Sequence, residues 1–89
     1  MKILLTSRPY KRDFKRMAKR GNDLERLHRI VRRLEQDEEL PSVSRPHALQ
    51  GEWLGCWECH IAPNWLLIYR ISTDRIQLER TGTHADLFE

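Results

Sequence analysis

Three of the four histidines, His47, His60 and His84, fall outside the two stretches with helical periodicity, where loops and strand ends would meet. An imidazole titrates near neutral pH, so it can take or give a proton where most side chains cannot. Cleaving RNA without a metal needs a base for the ribose 2′-OH and an acid for the leaving 5′-oxygen. It also needs positive charge to offset the pentavalent phosphate. Histidines together with an arginine contain all three functions. Taken singly, each of these histidines reads more readily as a hydrogen-bonded loop residue than as a catalyst. His28 lies mid-helix among arginines, and no role is assigned to it.

A second arrangement points to different chemistry. Cys56-Trp57-Glu58-Cys59 is a C-x-x-C, and the three histidines are available to complete a tetrahedral zinc shell. In an extended strand, however, residues three apart point to opposite faces. Both thiols would reach one ion only on a tight knuckle, which Gly55 permits. No second C-x-x-C is present, and a redox pair usually sits at a helix N-terminus. Small strand residues are the default reading for these cysteines, with zinc as the open alternative.

The elements that must position these groups follow from periodicity. Residues 2–6 read as a short apolar strand stopped by Ser7-Arg8-Pro9. Pro9 suits a helix start, because its missing N–H would have no partner there. Tyr10, Phe14, Met17 and Ala18 recur on one helical face, and Gly21 supplies the stop. Asn22 and Glu25 have capping-box spacing for a second helix, whose apolar stripe is Leu24, Leu27, Ile30, Val31 and Leu34 and which ends by Leu40-Pro41. So short a joint predicts an antiparallel helical hairpin.

Residues 41–52, with two prolines, two serines and Gly51, read as an irregular connection. Trp53–Ile61, Trp65–Ile71 and Arg75–Arg80 are rich in aromatic and β-branched residues and are separated at hairpin distance, so they read as a three-strand meander. The tail from Thr81 to Phe88 is neither periodic nor disordered in composition. The expected fold is α+β: an N-terminal strand, a helical hairpin, then the meander, with the helices packed on one face of a mostly antiparallel sheet.

Charge is distributed unevenly. Residues 1–40 hold 12 Lys/Arg against 7 Asp/Glu, while residues 41–89 hold 4 against 6. Seven bases crowd positions 8–20 with Asp13 as the one acid, a field suited to a polyanion, with nucleic acid as the first candidate. The bland alternative is a solvated helix face. At 89 residues the chain reads as one domain, 1–89, near the lower size at which a single core suffices. No apolar run of membrane-spanning length occurs. Arg8, Lys11 and Arg12 closely follow the short apolar start, which makes it a poor signal peptide. With two cysteines and no export signal, the expected compartment is the cytoplasm. Trp53, Trp57 and Trp65 read as core or partner contacts, whereas Phe88 beside His84 reads either as a ring that stacks on a base or as an anchor of the tail to the sheet.

Two ordered tracts carry a family resemblance. His47-Ala48-Leu49, Gly51-x-Trp53-x-Gly55 and Glu58-Cys59-His60-Ile61-x-Pro63-Asn64-Trp65-Leu66-Leu67-Ile68-Tyr69-Arg70 form the first. Arg80-Thr81-Gly82-Thr83-His84-Ala85-Asp86-Leu87-Phe88 is the second. Together they resemble the YafQ branch of the RelE/ParE toxin superfamily, and the likeness extends over essentially the whole chain.

The resemblance implies a microbial-ribonuclease-like fold and cleavage of mRNA in the A site of the 30S ribosomal subunit. It also implies neutralisation by an antitoxin of ribbon–helix–helix type. His47, His60 and His84 match the family's catalytic histidines, Arg80 would support phosphate charge, and Phe88 matches its terminal aromatic. Lys11, Lys15, Arg16 and Lys19 would hold ribosomal RNA, and no cofactor or metal is implied.

Where the family carries an aspartate, this chain has Asn64. An amide can hold a hydrogen bond but can neither accept the 2′-OH proton nor supply the negative charge that favours an imidazolium. Cys56 and Trp57 stand where YafQ carries tyrosine and arginine, which removes one base and adds a candidate stacking ring. The expectation is a working but altered nuclease. The alternative is a non-catalytic relative of the same fold, acting on a gyrase-type target or only binding an antitoxin.

Overall fold

The computed structural model describes residues 1–89 as strand β1 (Ile3–Thr6), helices α1 (Arg8–Lys19) and α2 (Leu24–Glu35), strands β2 (His47–Ala48), β3 (Trp57–Ala62), β4 (Trp65–Ile71) and β5 (Arg75–Gly82), and a short helix α3 (His84–Phe88). The strands form one sheet in the order β1-β5-β4-β3-β2. The β1–β5 pair is parallel and the other pairs are antiparallel; the helical hairpin carries the chain from β1 at one edge to β2 at the other. This is the α+β arrangement expected from the periodicity. No helix is long and apolar enough to cross a membrane.

The apolar stripes explain how the layers meet. Tyr10 and Met17 from α1, with Leu27, Ile30, Val31 and Leu34 from α2, pack on Cys59, Ile61, Trp65, Leu67, Tyr69, Ile76 and Leu78 in a core of 13 buried residues. Ser7 caps α1 by accepting the Tyr10 N–H at 3.0 Å, and Pro9 lies in its first turn. The opposite face of the sheet carries a smaller core of Cys56, Leu66, Ile68 and Leu87, against which Leu49 and Trp53 pack.

Four boundaries differ from the sequence reading. The cap of α2 is Asp23, which accepts the Glu25 N–H at 3.1 Å, whereas the Asn22 side chain turns back and donates to the Met17 carbonyl at 3.0 Å. Helix α2 stops at Glu35, before the acidic run, because Asp37 takes a left-handed conformation (φ +56°). Trp53 closes a 3-10 turn, Gly51–Trp53, and is not in a strand; Gly55, at φ +94°, makes the bend, so β3 starts only at Trp57. The connection read as irregular contains β2, making five strands, and the tail folds into α3. Thr83 and Asp86 form a reciprocal capping box there.

Candidate active site

The face of the sheet opposite α1 and α2 gathers the three histidines from separate elements. His47 stands on β2 opposite Glu58, and its Nε2 lies 3.3 Å from Glu58 Oε1. Its Nδ1 is 3.1 Å from the Arg45 carbonyl. Arg45 ends the 3-10 turn Ser42–Ser44 in a left-handed conformation (φ +43°), uncommon for a residue with a side chain. That conformation aims its carbonyl at the imidazole.

His60 projects two residues beyond Glu58 on β3, hence from the same face. It pairs with Leu66, one of the residues of the smaller core. The His60 and His84 rings lie 6.2 Å apart, and those of His84 and Phe88 6.4 Å apart. Asn64, in the β3–β4 turn, places Oδ1 at 3.2 Å from His84 Nδ1 and at 3.5 Å from the His84 backbone N–H. The backbone amide can only donate, so the amide oxygen and not its NH2 faces His84. Buried His60 Nδ1 has no hydrogen-bond partner.

The smaller core holds this constellation in place. Leu49 and Trp53 fasten the segment after His47, and Leu87 fastens α3, both onto Leu66 and Ile68. The entry to α3 is tight, since a Cβ added to Gly82 would lie 2.9 Å from Asp86 Cβ. The Arg20 guanidinium, bonded at 2.7 and 3.1 Å, pulls the Asp86 carboxyl far below the usual carboxylate range, with help from the Thr83 N–H and hydroxyl and from Arg16.

The remaining expected residues are placed differently. Arg80 Nε and Nη2 both bond to Asp13, whose buried carboxylate also accepts the Thr81 N–H at 3.1 Å and Arg16 Nη2 at 2.7 Å. Hydrogen bonding to Asp13 holds the Arg80 pKa above its ordinary value. Much of the Arg80 guanidinium is thus occupied by Asp13, and Arg16 is committed as well. Lys11, Lys15 and Lys19 are exposed along α1. Trp57 pairs with Tyr69, a residue of the larger core, so it projects on the helix side, away from the histidines, and is 41% exposed.

Cys59 lies in the larger core and Cys56 in the smaller, on opposite faces of the sheet. Burial pushes the Cys59 thiol up to about 12 and raises that of Cys56, so both remain protonated at neutral pH. This geometry does not offer two thiolates to one ion. Sequence reasoning missed Glu58 as a partner of His47. Its alternation with His60 on β3 is the one signal that would have found it.

Residues 2–89 match the family described as "Bacterial toxin of type II toxin-antitoxin system, YafQ". The mRNA interferase toxin YafQ of Escherichia coli K12 is 40% identical over 80 residues, covering 89% of this chain and 87% of that protein. The toxin in the crystal structure of the E. coli DinJ–YafQ toxin–antitoxin complex superposes with a TM-score of 0.91 at 37% identity, over 99% of this chain and 98% of that one. A metal-bound toxin from Helicobacter pylori superposes with a TM-score of 0.93 at 33% identity, over 99% and 100% of the two chains.

Proposed function

The chain belongs to the YafQ family of bacterial type II toxins, and from that premise we propose that it is a ribosome-dependent endoribonuclease that cleaves mRNA by histidine acid–base catalysis. The observation that carries this reading is the convergence of His47, His60 and His84 on the face opposite α1 and α2, with a carboxylate on one histidine and an amide on another.

The two partners divide the proton work. A carbonyl and a carboxylate can only accept, so the His47 ring, set between the Arg45 carbonyl and Glu58, is placed to donate from both nitrogens. In the reaction Nε2–H passes from its contact with Glu58 to the leaving 5′-oxygen and protonates it, which makes His47 the general acid, while Nδ1–H stays on the Arg45 carbonyl. His84 donates Nδ1–H to the Asn64 oxygen, which keeps the lone pair on Nε2. Asn64 brings no charge to favour an imidazolium, so His84 is assigned as the base that takes the 2′-OH proton. The 2′-oxygen attacks the phosphorus as the bond to the 5′-oxygen breaks, leaving a 2′,3′-cyclic phosphate and a 5′-hydroxyl. His60 contacts the phosphate between them, and Phe88 stacks on a flanking base. Arg80 adds charge through the part of its guanidinium not bound to Asp13. Lys11, Lys15 and Lys19, with Arg16, hold ribosomal RNA, and Trp57 belongs to a partner or RNA surface on the other side of the sheet.

Because DinJ neutralises through a complex with the E. coli relative, a cognate antitoxin, of ribbon–helix–helix type, is the partner proposed for this chain. The chemistry described needs no metal. Cleavage of a translated message with EDTA present, yielding cyclic or 3′-phosphate ends and 5′-hydroxyls, is the expected result. Activity lost in EDTA and restored by zinc would replace this mechanism with a metal-assisted one.

A further inference from the structure

A groove of about 790 Å³ runs between α2 and the part of β3 that two-residue β2 leaves uncovered. Arg26, Arg29 and Arg33 line one wall, Arg45 lines its end, and His60 to Pro63 form the opposite wall. The three α2 arginines stand at i, i+3 and i+7, one helical face, and span about 10 Å along the axis. No carboxylate lines the groove. Arg29 approaches exposed Glu25 only at 3.7 Å, and Arg33 donates to the Glu39 carbonyl at 2.9 Å. Arg26 and Arg45 have neither kind of partner. Cations aligned in a concave, acid-free channel have their fields added rather than cancelled.

The channel is also continuous with the histidine cluster. His60 belongs to both, and Arg45 lends its side chain to the groove and its carbonyl to His47. We infer that this groove binds the phosphates of a single RNA strand and leads it to His60. An acidic peptide would satisfy the charge, but nothing in peptide binding calls for a channel that ends at His60, beside His84. The inference rests on the ribonuclease reading only for what happens to the strand after it is bound.

The test uses the full-length chain and a 2′-O-methyl RNA oligonucleotide, which binds but offers no 2′-OH to cleave, followed by fluorescence anisotropy over a salt series. Arg26→Ala/Arg33→Ala is compared with Arg32→Ala/Arg75→Ala, which removes equal charge outside the groove, both checked for a native circular dichroism spectrum. The groove pair is expected to weaken binding about tenfold and to reduce the salt slope by roughly 1.4, the value for two phosphate contacts on a single strand. The outside pair is expected to change affinity less than twofold. Because the 2′-O-methyl strand cannot be cleaved, its binding is read independently of any failure of the nuclease reading. Equal losses from both pairs would mean a diffuse field and overturn the groove. Unchanged RNA affinity with weakened antitoxin binding would overturn it in favour of a protein partner.

Discussion

The two faces of the sheet are built to different standards. The helix side closes over 13 buried residues, whereas the opposite side buries four and leaves the rest of its surface to His47, Glu58, His60 and His84. The larger core gives the molecule its stability. The smaller one is only large enough to fix the His47 segment and α3 on the sheet. A site that must admit an RNA strand cannot also be sealed, so the chain concentrates burial on one side and keeps polar groups on the other.

That contrast can be broken by paired truncations. Leu27 is fully buried in the larger core, and Leu27→Ala is expected to cost about 2–5 kcal/mol. Leu87→Ala, at the edge of the smaller core, is expected to cost less in global stability yet to remove most of the cleavage activity, because α3 carries His84. Thermal melts beside single-message cleavage assays check both. Equal effects of the two variants on stability and activity would mean that the faces are not specialised.

Within the open face, the acid and base partners are separable. Glu58→Gln is expected to lower kcat about tenfold, the loss of one charged hydrogen bond to the acid, while KM moves less than twofold. A variant that raised only KM would assign Glu58 to binding. The converse change, Asn64→Asp, is expected to raise kcat roughly three- to tenfold, since a carboxylate stabilises the imidazolium that His84 becomes on taking the 2′-OH proton. A lower kcat would show that the amide is required.

The smallest effect concerns acid. The Asp86 carboxyl lies far below its unfolded value of about 3.9, so the stability it contributes is fully present above that pH and is lost as pH falls toward the folded value. Wild type is therefore expected to lose thermal stability between about pH 5 and pH 3 more steeply than Asp86→Asn. At pH 7 the variant is expected to be about 1 kcal/mol less stable through the lost cap. Parallel melting curves across that range would remove Asp86 from the account.

Much of this division is legible in the residues. The helical stripes of α1 and α2 and the aromatic, β-branched meander declare the larger core, because burial on one face imposes its period on the sequence. The ordered tracts around His60 and His84 declare the histidines. What escaped reading depends on contacts between segments far apart in the chain. Two residues, His47–Ala48, become a strand only because β3 offers an edge, and Trp53 leaves the strand because Gly55 bends. Asp13 looked like a lone acid among bases but is buried, binding Arg80 and Arg16. The α2 arginines received no role from the sequence, because only β3 supplies the second wall of the groove they line.

The claim on which the rest depends is that the histidine cluster cuts RNA. Induced expression of wild type and His84→Ala in a bacterial host, with primer extension on a translated message, tests it most directly. The account expects growth arrest with new 5′ ends inside codons for the wild type, and loss of those ends by a factor of about 10²–10⁴ in the variant. Arrest without new ends, or equal cleavage by both proteins, would contradict it.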